Sequence, residues 1–297
     1  MAGSANNITI QPVNCLWQVE ALYQFDLSSL VDPDGTYFLL NSAKDAVEYY
    51  VWFDLDGGAT DPAPAGKTGI AVANVTGDSA TVLATKTAAA ITAEADFGAS
   101  SSGKVVTVKL VAIGATTDAV DVDSGVVVTV CRRGKDFDLG LLEGDVELSL
   151  APSNFIVTSH QSGLTPRAAL FQGVETAEVA TVLQETTSSQ LSEIYGLYGS
   201  SGFIPAGGTS VYGIGTSKQG QNLLIDAARL ILRPVNAANA LTDTTLMLAI
   251  PIPDTLVFSG ENPRTLSVTW QGFIDDQIDS RVSALNFGDE TQSGLRI

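Results

Sequence analysis

The sequence predicts a mainly β (α+β) protein, with an N-terminal α+β module followed by a β-sandwich or half-barrel that carries one packed helix. Short apolar segments rich in β-branched and aromatic residues dominate, as in VEYYVWFDL at 47–55. Turn signals such as Asp-Pro-Asp-Gly at 32–35 separate these segments. Only two segments have helical spacing. The 297 residues are enough for two domains of ordinary size.

The first 133 residues have the pattern β-β-β-α-β-β. The predicted strands cover residues 37–40, 47–55, 70–75, 104–113 and 126–131. The helix follows the third strand, where Asp78 is a good N-cap. Its weakly amphipathic character follows from the helical spacing of Leu83, Thr87, Ala90, Ile91 and Glu94. Because a charged stretch begins at Arg132, we expect one domain at 1–133 and a second at 134–297.

The second half begins with a predicted strand at 143–150, a long polar loop at 151–169 and a strand at 172–184. A helix follows, since Thr187 and Gln190 have capping-box spacing and Gly199 can end it. One face of this helix is predicted to carry Leu191, Ile194, Tyr195 and Tyr198. After a Gly/Ser-rich loop at 199–220, the remaining strands are predicted at 222–233, 244–250 and 265–274. The polar tail beyond is predicted to be a flexible arm.

The composition agrees equally with two interpretations. The surface is either buried against other subunits, or it is the Ser/Thr-rich surface of a plain β domain. Charged residues make up only 16 % of the chain, below the average for soluble proteins. The formal net charge of −18 disfavours binding to phosphate backbones, although it also serves simple solubility. Two cysteines, no signal peptide and no apolar run of about 20 residues indicate a soluble protein made in a reducing cytoplasm.

The sequence predicts no catalytic, cofactor-binding or metal-binding residues. The single histidine, His160, lies in a polar loop, and neither a second histidine nor a Gly-x-Ser-x-Gly elbow accompanies it. Gly66-Lys67-Thr68 resembles a phosphate-binding loop, but Asp61 occupies the position of the first glycine and a strand follows. The Gly-Ile-Gly at 213–215 lacks the third glycine of a dinucleotide site.

Two acidic segments and an aromatic cluster are better explained by structure than by ligand binding. The segments at 54–57 and 121–125 could bind Ca²⁺ weakly, but neither continues into an EF-hand loop, and turn chemistry explains both. The cluster of Tyr49, Tyr50, Trp52 and Phe53 is typical of a sheet core and edge. We therefore expect no enzyme, although paired carboxylates of a glycan hydrolase are not excluded among 33 acidic residues.

The segment at 35–91 resembles a module of virion proteins from tailed bacteriophages. The resemblance rests on the aromatic strand at 47–55, the loop DPAPAGKTG at 61–69 and the Ala-rich helix after Asp78, in that order. It does not indicate which part of the virion the protein forms.

The second half resembles a tail tube (major tail) protein, through the order strand, long loop, strand, helix and a final aromatic strand before a polar arm. That resemblance implies a tail-tube-like fold and hexameric rings that stack into a β-lined tube, the conduit for DNA ejection. It implies that the loop at 151–169 and the C-terminal arm join neighbouring rings, with the N-terminal module outside the tube. The expected partners are copies of itself, other tail proteins and DNA that passes without specific binding, with no membrane.

The expected location is therefore the virion tail, after assembly in the host cytoplasm. The alternative is a capsid decoration protein or a fibre-like attachment protein, which would explain the Ser/Thr-rich surface and the separate N-terminal module equally well.

Overall fold

The computed structural model describes residues 13–142, 144–158, 166–184, 188–198, 200–203, 211–214, 219–235, 243–257, 265–273 and 285–287. The chain is mainly β, which confirms the predicted fold class at that level. It divides into two compact units. The main unit contains Met1–Trp17, Phe137–Gln221 and Arg229–Ile297, and the inserted unit contains Gln18–Asp136 and Asn222–Ala228.

The inserted unit has two four-stranded sheets and one α-helix. Its elements are β2 (Leu22–Asp26), β3 (Tyr37–Asn41), β4 (Glu48–Leu55), β5 (Thr68–Asn74), α1 (Ala80–Thr92), β6 (Phe97–Ser102), β7 (Val105–Leu110), β8 (Val120–Asp121) and β9 (Val127–Arg132). One sheet has the order β5-β4-β3-β8 and the other β6-β7-β2-β9. The five strands and the helix predicted in this region are present, whereas β2, β6 and β8 were not predicted.

Alternating apolar residues give the inserted unit a single core. Tyr23 and Phe25 of β2, Val51 and Phe53 of β4, and Leu83 of α1 are all fully buried in it. The Ser79 side chain accepts a hydrogen bond from the Val82 amide and so caps α1, one residue after the predicted cap. The α1 residues Leu83, Thr87 and Ile91 are buried as predicted, because their spacing places them on one helical face.

The main unit is organised around one eight-stranded sheet. Its strands are β1 (Val13–Val19), β10 (Lys135–Leu141), β11 (Glu147–Thr158), β12 (Pro166–Gln184), β15 (Ala228–Pro234), β16 (Thr244–Val257), β17 (Thr265–Phe273) and β18 (Leu285–Phe287). The order is β10-β1-β15-β16-β17-β12-β11, and β18 also pairs with β16. A separate hairpin joins β13 (Ser200–Phe203) to β14 (Val211–Ile214).

The second helix, α2 (Ser188–Gly196), contacts β16. Gln190, Ile194 and Leu197 are buried, whereas Leu191 and Tyr195 of the predicted face are only half-buried. The buried face therefore differs from the predicted one, since it includes Gln190, whose side-chain amide donates to the Leu139 carbonyl at 3.0 Å. The predicted end residues Thr187 and Gly199 lie outside the described residues.

The observed division differs from the predicted one at residue 133. Residues 13–17 of β1 group with the main unit, so the α+β module is inserted between β1 and β10, which are neighbours in the large sheet. A short 3₁₀ helix, Leu223–Asp226, also belongs to the inserted unit, where the Arg133 amide donates to the Ile225 carbonyl at 2.8 Å. This 3₁₀ helix corrects the strand predicted to start at residue 222.

Three further expectations need correction. The predicted loop at 151–169 is strand over 151–158 and 166–169, and residues 159–165 lie outside the described part. The predicted loop at 199–220 contains the β13–β14 hairpin. In the predicted flexible tail, Leu285–Phe287 pair with β16, whose residue Thr244 faces Phe287. In each case pairing in a β-ladder overrides the local polar composition.

Candidate functional site

The most distinctive feature of the main unit is the hairpin of β11 and β12, which extends beyond the large sheet. The antiparallel register runs from Glu147 opposite Ala180 to Thr158 opposite Pro166. However, β12 pairs with β17 only from Glu178 onward. The twelve residues of β12 before that point span roughly 40 Å at the rise of an extended strand. We call this part, residues 150–158 and 166–177, the hairpin extension.

The hairpin extension has two open edges. Within the described residues, β11 pairs with no strand other than β12, and β12 before Glu178 pairs only with β11. An isolated two-stranded ribbon is marginally stable in water. Unpaired N–H and C=O groups along an edge strand are a template for pairing with another chain. The hairpin extension is therefore a candidate site for association.

The local sequence explains both the hairpin and why it looks like a loop. Pro152 lies at a β-bulge after Ala151, on an edge strand where a missing N–H is tolerated. A second irregularity follows Ser153, opposite Gly173, and a third precedes Thr158. Bulges bend and twist a ribbon and are common beside functional sites. Pro, Ser and Asn are turn formers, so the local signal indicates a loop although the ladder continues through it.

Buried polar contacts hold the base of the hairpin in the sheet. Trp270 of β17 donates its indole N–H to the Thr181 hydroxyl of β12 at 2.9 Å. The Thr181 hydroxyl in turn contacts the Val268 carbonyl at 3.4 Å. Because these groups are buried, their hydrogen bonds fix the register of β12 against β17. The hairpin extension thus emerges from a rigid base.

The segment resembling a phosphate-binding loop folds back onto its own sheet. Asp61 accepts a hydrogen bond from the Tyr50 hydroxyl at 2.7 Å and another from the Ala63 amide at 2.9 Å. The Lys67 ammonium forms an ion pair with Glu48, and Thr68 begins β5. Asp61 and Lys67 thus have partners within the unit, and no helix follows to supply free amides. His160 lies outside the described residues.

In the two acidic turns, the carboxylates accept hydrogen bonds from backbone amides and hydroxyl groups. Asp56 accepts hydrogen bonds from the hydroxyl and the amide of Thr76, which lower its pKa. Asp121 accepts from Ser124 and Gly125, and Asp123 accepts from the Tyr37 amide at 2.8 Å. Among the described residues, no group of three His, Cys, Asp or Glu side chains is arranged to hold a metal ion. The geometry of these turns agrees with the structural interpretation given above.

The two cysteines are free and unsuited to act as nucleophiles at neutral pH. Cys15 is fully buried, and burial followed by the nearby charge of Asp138 raises its pKa. Burial also raises the pKa of the half-buried Cys131. Thiols with raised pKa values stay protonated and react slowly.

The aromatic cluster belongs mainly to the sheet core, as the sequence predicts. Tyr49 and Phe53 point into the core of the inserted unit, whereas Tyr50 and Trp52 are buried on the other face of β4. The Tyr49 hydroxyl donates to Asp96 at 2.9 Å, and burial together with this bond raises its pKa to about 12. Gly69 on the neighbouring strand lies under the Tyr50 ring, where a Cβ atom would be 2.5 Å from the hydroxyl oxygen.

In the described part of the chain, no helix is both long enough and apolar enough to cross a membrane. Comparison with known proteins adds no family assignment: neither the protein-family models nor the curated proteins contain a match to this chain.

Proposed function

We propose that this protein is a structural virion protein of a tailed bacteriophage, which assembles with copies of itself into stacked hexameric rings that form the tail tube. The tube is the conduit for DNA ejection. The observation that carries the proposal is the hairpin extension, a two-stranded ribbon with open edges that emerges from a sheet-rich unit. In the proposed assembly, a neighbouring subunit covers these edges. The backbone N–H and C=O groups that are unpaired in the monomer then form main-chain hydrogen bonds between subunits.

The charge of the chain agrees with a conduit that does not hold DNA. Its 33 acidic residues outnumber its 15 basic ones. Binding to DNA gains affinity when lysine and arginine side chains displace counterions from phosphates, and an excess of carboxylates opposes this. We propose that DNA passes without specific binding, and that the other partners are copies of the chain and further tail proteins, with no membrane.

The inserted unit is proposed to lie on the outside of the tube. It has a complete hydrophobic core, and the chain enters and leaves it through two strands that are neighbours in the large sheet. A module attached in this way can be added to a β unit without changing the order of its strands. The same independence favours the second candidate function, a capsid decoration or fibre-like attachment protein.

Negative-stain electron microscopy of the purified full chain separates these candidates. Tubes or stacked rings support the tail tube. Trimers in solution, or binding to empty capsids without tubes, support decoration or attachment and contradict the tube.

A shortened hairpin tests the role of the hairpin extension. Ala151 faces Thr176 in the ladder, so an Asn-Gly pair that replaces residues 152–175 would join them through a two-residue turn. We expect a folded protein that no longer polymerises. The base of the hairpin, including Thr181 and Trp270, is untouched, so the circular dichroism spectrum and the unfolding midpoint report whether the main unit remains folded. Normal tubes from this variant would contradict the proposed role.

A further inference from the structure

The inserted unit has a sheet edge, at β9, to which no described strand is added, although the 3₁₀ helix Leu223–Asp226 contacts β9 and accepts a hydrogen bond from Arg133 just beyond its end. On the other side of the same sheet the edge strand β6 is protected, because the Thr92 hydroxyl of α1 accepts from the Ala99 amide and donates to the Ala99 carbonyl, both at 3.1 Å. Covering an edge with a helix is one of the ways in which folds prevent strand addition. Within the described residues, β9 pairs only with β2.

The register shows which backbone groups of β9 point outward. Ala21 and Leu27 flank β2 and bond on the β7 side: the Ala21 carbonyl accepts from the Leu110 amide, and the Leu27 amide donates to the carbonyl of Lys104, the residue before β7. Hydrogen bonding alternates along an antiparallel strand, so Gln24 and Asp26 bond to β9. They face Thr129 and Val127 in the register. The N–H and C=O groups of Val128 and Val130 therefore point away from the sheet.

The side chains along this edge are uncharged and partly exposed. Val128 and Val130 point to the core but are only partly buried. Val127 on the other face is 59 % exposed. Residues 127–131, VVTVC, contain no charge, proline or glycine, and the one irregularity of their register with β2 falls at the end of the segment, at Cys131.

We infer that β9 pairs with β9 of a second copy of this chain, as antiparallel strands about a two-fold axis at Thr129. The backbone of Val128 in each copy then forms hydrogen bonds with the backbone of Val130 in the other copy. The two Thr129 residues face each other in the closer, non-hydrogen-bonded type of pair. The added strand would cover the half-buried valines of both copies.

Charge favours a second copy in this direction. The segment before β9 carries Asp121 and Asp123, and the segment after it carries Arg133 and Lys135, whereas Arg132 is buried. Antiparallel pairing places the acidic end of one copy beside the basic end of the other. The contribution is modest, because Arg133 already forms ion pairs with Asp118 and Asp226. The charges favour the antiparallel direction of the added strand, whereas the main-chain hydrogen bonds and the burial of the valines stabilise the contact.

This pairing goes beyond the proposed function and does not depend on it. A two-fold contact uses the same surface of both copies and closes a dimer, so it does not by itself extend a polar tube. We therefore assign it to the protein before assembly.

A charge swap at the axis tests the inference in the full chain. Thr129 is exposed and faces itself across the axis, so Thr129→Lys and Thr129→Glu each place like charges together. We expect the wild type to sediment as a dimer at roughly micromolar concentration, each variant to dimerise about tenfold more weakly, and an equimolar mixture of the two variants to regain the dimer. A monomeric wild type, variants that dimerise like the wild type, or a mixture that stays monomeric would overturn the pairing.

A cross-linking experiment reads out the contact whatever the size of the assembly. Thr129→Cys places two thiols opposite each other in the non-hydrogen-bonded pair, within the usual separation for a disulfide. Ser100→Cys, also exposed but on the edge strand that α1 protects, is the matched control. We expect Thr129→Cys to form disulfide-linked dimers much faster on mild oxidation. Equal rates for the two variants would contradict the inference.

Discussion

The indole of Trp17 packs edge-on against that of Trp270, with ring centroids 5.5 Å apart and planes inclined by 63°. Trp17 lies in β1, near the start of the chain, and Trp270 lies in β17, near its end. Trp17 also donates its N–H to the Ala249 carbonyl of β16 at 3.3 Å. The pair thus joins the first and last major strands of the main unit in one buried contact.

A double-mutant cycle of Trp17→Phe and Trp270→Phe measures this contact. We expect each variant to lower the free energy of unfolding by about 1–3 kcal/mol, because each loses buried aromatic area and a hydrogen bond. The coupling between them should be about 1 kcal/mol, the usual value for an aromatic pair. Urea denaturation of both single variants and the double variant provides the values. Strict additivity would show that the rings do not interact.

Gly272 marks a close approach between strands that a methyl group would disturb. A Cβ atom there would be 2.6 Å from Cγ of Leu246 and 3.2 Å from the carbonyl oxygen of Ala177. We expect Gly272→Ala to destabilise the protein by about 1–3 kcal/mol through overpacking. The control is Gly98→Ala, where the nearest atom is 4.0 Å away, and its unfolding midpoint should barely change. Equal midpoints for both variants would contradict this packing.

The Tyr23 hydroxyl is buried and makes no hydrogen bond within the described part of the chain. Because an unsatisfied polar group opposes folding, Tyr23→Phe should leave stability unchanged or raise it by up to about 1 kcal/mol. Tyr49→Phe is the matched control. It should lower stability by about 1 kcal/mol, since it breaks the bond to Asp96. A marked loss of stability in Tyr23→Phe would reveal a partner for the hydroxyl.

Asp56 should contribute to the loss of stability in acid. Its pKa in the folded protein lies below the ordinary value of 3.8, because Thr76 donates to it through the hydroxyl and the amide. The unfolded chain therefore binds more protons, so this contribution is present above pH 3.8 and is lost as the pH falls through the folded pKa. Thr76→Val should move the pKa of Asp56, followed by NMR, back toward 3.8. An unchanged pKa would contradict the assignment.

The sequence predicts the inserted unit better than the main unit. In β4 and α1 the local pattern and the final environment agree, because Val51 and Phe53, and likewise Leu83 and Ile91, all face one core. In contrast, β1 was not predicted, since its neighbours in the sheet, β10 and β15, lie far along the chain. Local pattern carries no information about such pairing.

For the candidate association site, the sequence singles out the right residues but predicts the wrong secondary structure. The sequence draws attention to residues 151–169, yet Pro152 and its polar neighbours indicate a loop where the chain forms a ladder. Only the register with β12 shows that the proline lies at a bulge. The open edge of β9 is a property of sheet order, which the segment VVTVC does not reveal by itself.

Electron microscopy of the purified protein, compared with the variant in which Asn-Gly replaces residues 152–175, tests the central claim most directly. The account predicts tubes or stacked rings from the full chain, and folded protein without tubes from the variant. Single particles from the full chain at high concentration would contradict assembly into a tube, and tubes from both proteins would contradict assembly through the hairpin extension.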